Sequence, residues 1–110
     1  MINIYSNKAL IKEILETIAD DTFIVWQMFE KFVEYRLNIT DTVYIQVYQD
    51  ASVDKVSLIQ EFRYPDGEFE STSLSSFWVE NTMVDDESKI GLAEMIMLII
   101  EIKGEYNANY

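Results

Sequence analysis

Apolar positions recur at two different periods along this 110-residue chain: three to four residues apart near both ends, and two apart in the middle. From Lys8 the stripe is Leu10, Ile11, Ile14, Leu15, Ile18 and Ala19, with Lys8, Lys12, Glu13 and Glu16 on the other side. This predicts an amphipathic helix, with Ser6 or Asn7 as its N-cap. Residues 1–5, with Ile2 and Ile4 between polar neighbours, predict a short edge strand ahead of it. Asp20-Asp21-Thr22 gathers three residues that favour caps and turns, so the helix breaks there. A second helix follows, with Val25, Trp26, Phe29, Phe32, Val33 and Leu37 inward and Glu30, Lys31, Glu34 and Arg36 toward water. One bent helix over residues 6–37 and a short strand over residues 23–26 are the alternatives the spacing leaves open.

After Asn38 the period falls to two. Val43, Ile45 and Val47 alternate with Tyr44, Gln46 and Tyr48, a strand pattern. A second strand covers residues 55–64, with Val56, Leu58, Gln60, Phe62 and Tyr64 on one face. Tyr64-Pro65-Asp66-Gly67 has Pro second and Gly fourth, as a type I turn prefers. Residues 68–73 and 75–80 supply a third and a fourth strand, and links this short make the sheet an antiparallel meander. The run from Lys89 to Lys103 is rich in Met, Leu, Ala and Glu, and is read as a helix capped by Asp86 or Ser88. It carries two adjoining apolar stripes. One is Ile90, Ala93, Met97 and Ile100, and the other Leu92, Met95, Ile96, Ile99 and Ile102. Such a helix is expected in the core, buried on more than one side, with a subunit contact as the rival. The apolar run is too short to span a bilayer and contains Glu94 and Glu101. The tail from Gly104 onward is expected to fray. The predicted fold is a single α+β domain over residues 1–110: an N-terminal helical layer, a four-stranded antiparallel β-meander, and a C-terminal apolar helix packed on one sheet face.

Charge changes the picture more than composition does. Twenty acidic residues against eight basic ones give a formal charge of −12. That disfavours direct binding to nucleic acid or an anionic membrane, and favours a basic protein partner. The chain has neither histidine nor cysteine, so the usual proton shuttle, thiol nucleophile, zinc ligands and disulfides are absent. Its three glycines, Gly67, Gly91 and Gly104, lie too far apart to build a phosphate-cradling loop. Asp85-Asp86-Glu87 lacks the calcium-loop pattern, and helix capping accounts for it. The Tyr64–Glu70 stretch lacks the lysine that a nuclease-like carboxylate pair would need. No enzyme, metal or cofactor is therefore expected. Residues 1–10 lack the basic start and apolar run of a signal peptide, so the expected location is cytoplasmic, and the Asn38-Ile39-Thr40 sequon is read as chance.

Acid is also unevenly spread. Residues 61–87 hold eight carboxylates against Arg63 alone, a net −7 of the total −12. Glu61, Asp66, Glu68, Glu70, Glu80, Asp85, Asp86 and Glu87 lie there among Tyr64, Phe69 and Trp78. Aromatic anchors inside a clustered field make these eleven residues the candidate partner-binding site. The expected function is a small acidic binding protein that neutralises a basic toxin or nucleic-acid-processing enzyme, as immunity proteins, antitoxins and phage-encoded inhibitors do. The alternative is an oligomeric assembly component, a homodimer in its simplest form, built on the apolar helix or a sheet edge. Thr40-Asp41, Tyr48, Val56 and Leu58 are similar to the strand pair of phage uracil-DNA glycosylase inhibitors, small acidic proteins that imitate DNA. That family's recognition segment is poorly matched at Asp21-Thr22-Phe23, and the apolar C-terminal helix is foreign to it, so the chain is assigned to no family on this basis.

Overall fold

The computed structural model describes residues 4–50, 53–80 and 86–108. Helix α1 (Ile4–Ala19) leads into five strands, β1 (Ile24–Met28), β2 (Val33–Asn38), β3 (Val43–Gln49), β4 (Val53–Arg63) and β5 (Phe69–Glu80). Helix α2 (Asp86–Ala108) closes the chain. The strands form one antiparallel sheet in the order β1-β2-β3-β4-β5, so the α+β class and the meander hold. Among the described residues no helix is long and apolar enough to cross a membrane.

Several expectations need correction. The second helix expected before Leu37 is instead the β1–β2 hairpin; the alternative of a short strand over residues 23–26 overlaps β1, and β2 has no counterpart in the sequence reading. Conversely, the strands expected over 68–73 and 75–80 are one continuous β5, with a register shift opposite Leu58/Ile59 that accommodates Leu74 as an extra residue. Five strands therefore replace four. Ile4 and Tyr5 belong to α1, as do Ser6 and Asn7, so neither of the latter is the N-cap; residues 1–3 lie outside the described chain. The stretch from Gly104 to Ala108 is helical rather than frayed.

The break after α1 falls where the acidic cluster predicted it. Asp20 takes a left-handed φ of 56°, a conformation Asp tolerates better than most non-glycine residues. α1 has no basic residue in its last turn. Lys103 of α2 supplies the cation, donating to the carbonyls of Ile18 and Ala19 at 3.1 and 3.0 Å.

Both helices lie on one face of the sheet. Ile11, Leu15 and Ala19 of α1 and Met95 and Ile99 of α2 cluster with Leu37, Val43, Ile45, Val47, Val56, Leu58, Phe77 and Val79. Helix α2 approaches β5 closely at Gly91, where a Cβ would stand 2.5 Å from the Phe77 Cβ. Ser88 fixes the start of the helix by donating its hydroxyl to the Trp78 carbonyl. Burial of α2 is one-sided, however. The stripe containing Met95 and Ile99 is in the core, whereas Ile90, Met97 and Ile100 of the other stripe are 60%, 71% and 60% exposed. The expectation that α2 is buried on more than one side fails, because one sheet face and the flank of α1 leave its outer stripe uncovered.

Candidate functional site

Beyond the start of β3 the sheet continues as a two-stranded arm. Val43 of β3 pairs with Gln60, and the Glu61 amide donates to Thr42 at 2.8 Å; past that point only β4 and β5 remain paired. The arm is held by its own backbone, from Glu61↔Ser71 to Arg63↔Phe69. At the tip the Gly67 amide donates to the Tyr64 carbonyl (3.0 Å) and the Tyr64 amide to the Glu68 carbonyl (2.8 Å). Gly67 sits at φ 94°, so the Pro65-Asp66-Gly67 loop is a type I turn followed by a left-handed glycine. Asp66 stiffens it by accepting from the Glu68 amide at 2.9 Å. An isolated hairpin of this size is marginal, and this one is prefolded because its strands continue into the sheet.

Strand alternation then gives each face of the arm both charge and ring. Phe62 and Tyr64 share one side with Glu70, their rings 6.4 Å apart. Phe69 shares the other with Glu61 and Arg63. The three rings are 62%, 42% and 62% exposed, which is unusual for phenylalanine. Arg63 Nε donates to Glu61 Oε1 at 2.9 Å; Arg63 is largely exposed, so the pair contributes little stability but offsets one charge. The excess acid of the arm then resides in Asp66, Glu68 and Glu70.

The other candidate residues lie elsewhere. Trp78, Glu80 and Glu87 gather at the far end of β5, where β5 and the start of α2 border an open depression of about 410 Å³ that also meets Glu94. Glu80 lies ten residues along β5 from Glu70, a span of roughly 33 Å. The structure thus splits the candidate residues between two ends of β5. Asp86 begins α2, and Asp85 lies outside the described residues. Among the described residues no group of carboxylates is arranged to hold a metal ion.

Sequence reasoning missed two sets of residues. Phe62 belongs with the arm, and its period-two relation to Tyr64 was the available signal. The second set lies on the sheet face without helices, where the Arg36 guanidinium sits between the rings of Trp26 (4.2 Å) and Tyr44 (4.3 Å). Arg36 also donates to Glu34 Oε2 at 2.7 Å, and Gln46 donates to the same oxygen at 3.1 Å. Nearby, Phe32, Tyr48, Asp50, Val53, Lys55 and Trp78 border a shallow depression of about 250 Å³. Burial pushes the Tyr44 and Tyr48 phenols up from their ordinary value, against the pull of Arg36. Compared with protein-family models, with curated proteins and with solved structures, the chain matches none.

Proposed function

We propose that this protein binds a basic protein and blocks it by seating the β4–β5 arm in a cleft of that partner. The observation that carries the reading is a prefolded arm that exposes Phe62, Tyr64 and Phe69 beside Asp66, Glu68 and Glu70. Exposed rings on a rigid turn lose little entropy when they bind, and the carboxylates around them speed encounter with a cationic surface. The −12 net charge acts in the same direction at longer range. A toxin, or an enzyme that handles nucleic acid, presents a cleft of this kind; immunity proteins, antitoxins and inhibitors that imitate DNA are the functional classes in view. The protein itself catalyses nothing in this reading.

Affinity capture from the native host identifies the partner, and stopped-flow association then tests the mechanism. The expected partner is basic, and its association rate falls steeply as salt rises. Glu68→Lys/Glu70→Lys should slow association and flatten that salt dependence, while Phe62→Ser/Phe69→Ser should speed dissociation. A captured partner whose association and dissociation both ignore all four substitutions would remove the arm from the mechanism.

A further inference from the structure

The outer stripe of α2 has a stricter pattern than a scattering of exposed apolar residues. Ile90, Ala93, Met97, Ile100 and Gly104 follow one another at spacings of three, four, three and four, which is the seam of a coiled coil. Ile90, Met97 and Ile100 are each at least 60% exposed, so the core uses none of them fully. The flanks of the seam differ in charge. Glu87, Glu94 and Glu101 recur every seven residues on one side, and Lys89, Ile96 and Lys103 on the other. Lys103 is committed to the end of α1.

We infer that a second copy of this chain covers the stripe, the two α2 helices lying parallel about a twofold axis. Charge complementarity selects both the partner and the direction. In a parallel pair the Lys89 flank of one copy meets Glu94 of the other, and Ile96 extends the apolar seam. An antiparallel pair would set three carboxylates of one copy against three of its mate. The seam is its own complement, and the small residues Ala93 and Gly104 let the helices approach. The arm takes no part, so this contact and the proposed binding of a basic partner stand or fall separately. Salt separates them by sign: it weakens attraction to a basic partner, whereas it strengthens self-association between two copies that each carry −12.

Sedimentation velocity across micromolar concentrations should show a dimer that tightens as salt rises. Met97→Glu should raise its dissociation constant on the order of tenfold or more. Because Met97 is 71% exposed in the single chain, the variant should keep its cooperative melt. Lys89→Glu should weaken the dimer, and Lys89→Glu/Glu94→Lys should restore it. The natural chain has no cysteine, so Ile90→Cys introduces one reporter; under mild oxidation a parallel pair yields a crosslinked dimer, and an antiparallel pair does not. A monomer at 100 μM (about the upper end of the range), a dimer indifferent to Met97→Glu, or a dimer without the Ile90→Cys crosslink would each overturn the inference.

Discussion

The two faces of the sheet are built from alternate residues of the same strands, yet they achieve burial by different means. On the helix side Leu37, Ile45, Val47, Val56 and Leu58 are at most 3% exposed, because α1 and α2 lie directly on them. On the opposite side no helix lies among the described residues, and still Glu34, Ser57 and Ile59 are 3%, 5% and 9% exposed. Ile59 stands opposite Tyr44, and Ser57 between Gln46 and Ser76, so long neighbours rather than a second layer keep water out. Glu34 is tolerated there because Arg36 and Gln46 both donate to it. A sheet can therefore finish one face with aliphatic packing and the other with a mesh of rings, amides and one ion pair.

The largest losses of stability are expected on the helix side. Leu58→Ala should cost about 2–5 kcal/mol, read as a shift of the denaturant midpoint, since Leu58 is fully buried between strand neighbours and helices. Gly91→Ala comes next. The added Cβ would meet the Phe77 side chain at its root on β5, so about 1–3 kcal/mol is expected from overpacking. Gly104→Ala on the same helix meets open space and should instead gain up to about 1 kcal/mol, which makes the two glycines a paired measurement of how closely α2 rides on the sheet.

On the uncovered face Glu34→Ala should cost about 1–2 kcal/mol by thermal unfolding, because it leaves the Arg36 and Gln46 donors without their shared acceptor. Glu34→Gln, which keeps an acceptor, should cost less. The smallest effect concerns pH. The Tyr44 and Tyr48 phenols are raised above the ordinary tyrosine value of about 10, first by burial. Above that value the unfolded chain has lost phenolic protons that the native state still holds, so stability is unaffected below it and declines as pH rises past it. Urea titrations at increasing alkaline pH should show the decline, and Tyr44→Phe/Tyr48→Phe should shrink it. An unchanged slope in the double variant would mean that other groups set the alkaline limit.

The same contrast explains what was legible in the sequence. Strands β3 and β4 were readable because Val43, Ile45, Val47, Val56 and Leu58 alternate with residues of different character. The β1–β2 hairpin was not, although Glu34 and Arg36 alternate with Val33, Tyr35 and Leu37. Trp26 and Phe29 are large and apolar yet stay about half exposed, and their spacing to Phe32, Val33 and Leu37 imitates a helical stripe. A face finished by aromatic side chains erases the polar half of the strand signal. In α2 both stripes are apolar, and only the sheet's position decides which one becomes core. The arm was legible as a turn and as acid. That Phe62 and Phe69 remain exposed depends on β3 beginning at Val43, which no local pattern near the arm reveals.

One feature of the topology also sets a sequence of events in time. Every pair of neighbouring strands is adjacent along the chain, so each strand pairing closes a short loop. The clasp between the helices is the opposite case: Lys103 reaches the Ile18 and Ala19 carbonyls across 85 and 84 residues of chain. Hairpins of this kind zip on the microsecond scale, whereas the clasp has no local precursor and is expected to close once the sheet has formed. Contacts made that late slow the escape from the native state more than they speed its formation. Removing the grip of Lys103 on α1 should therefore shorten the lifetime of the folded molecule more than it delays its appearance.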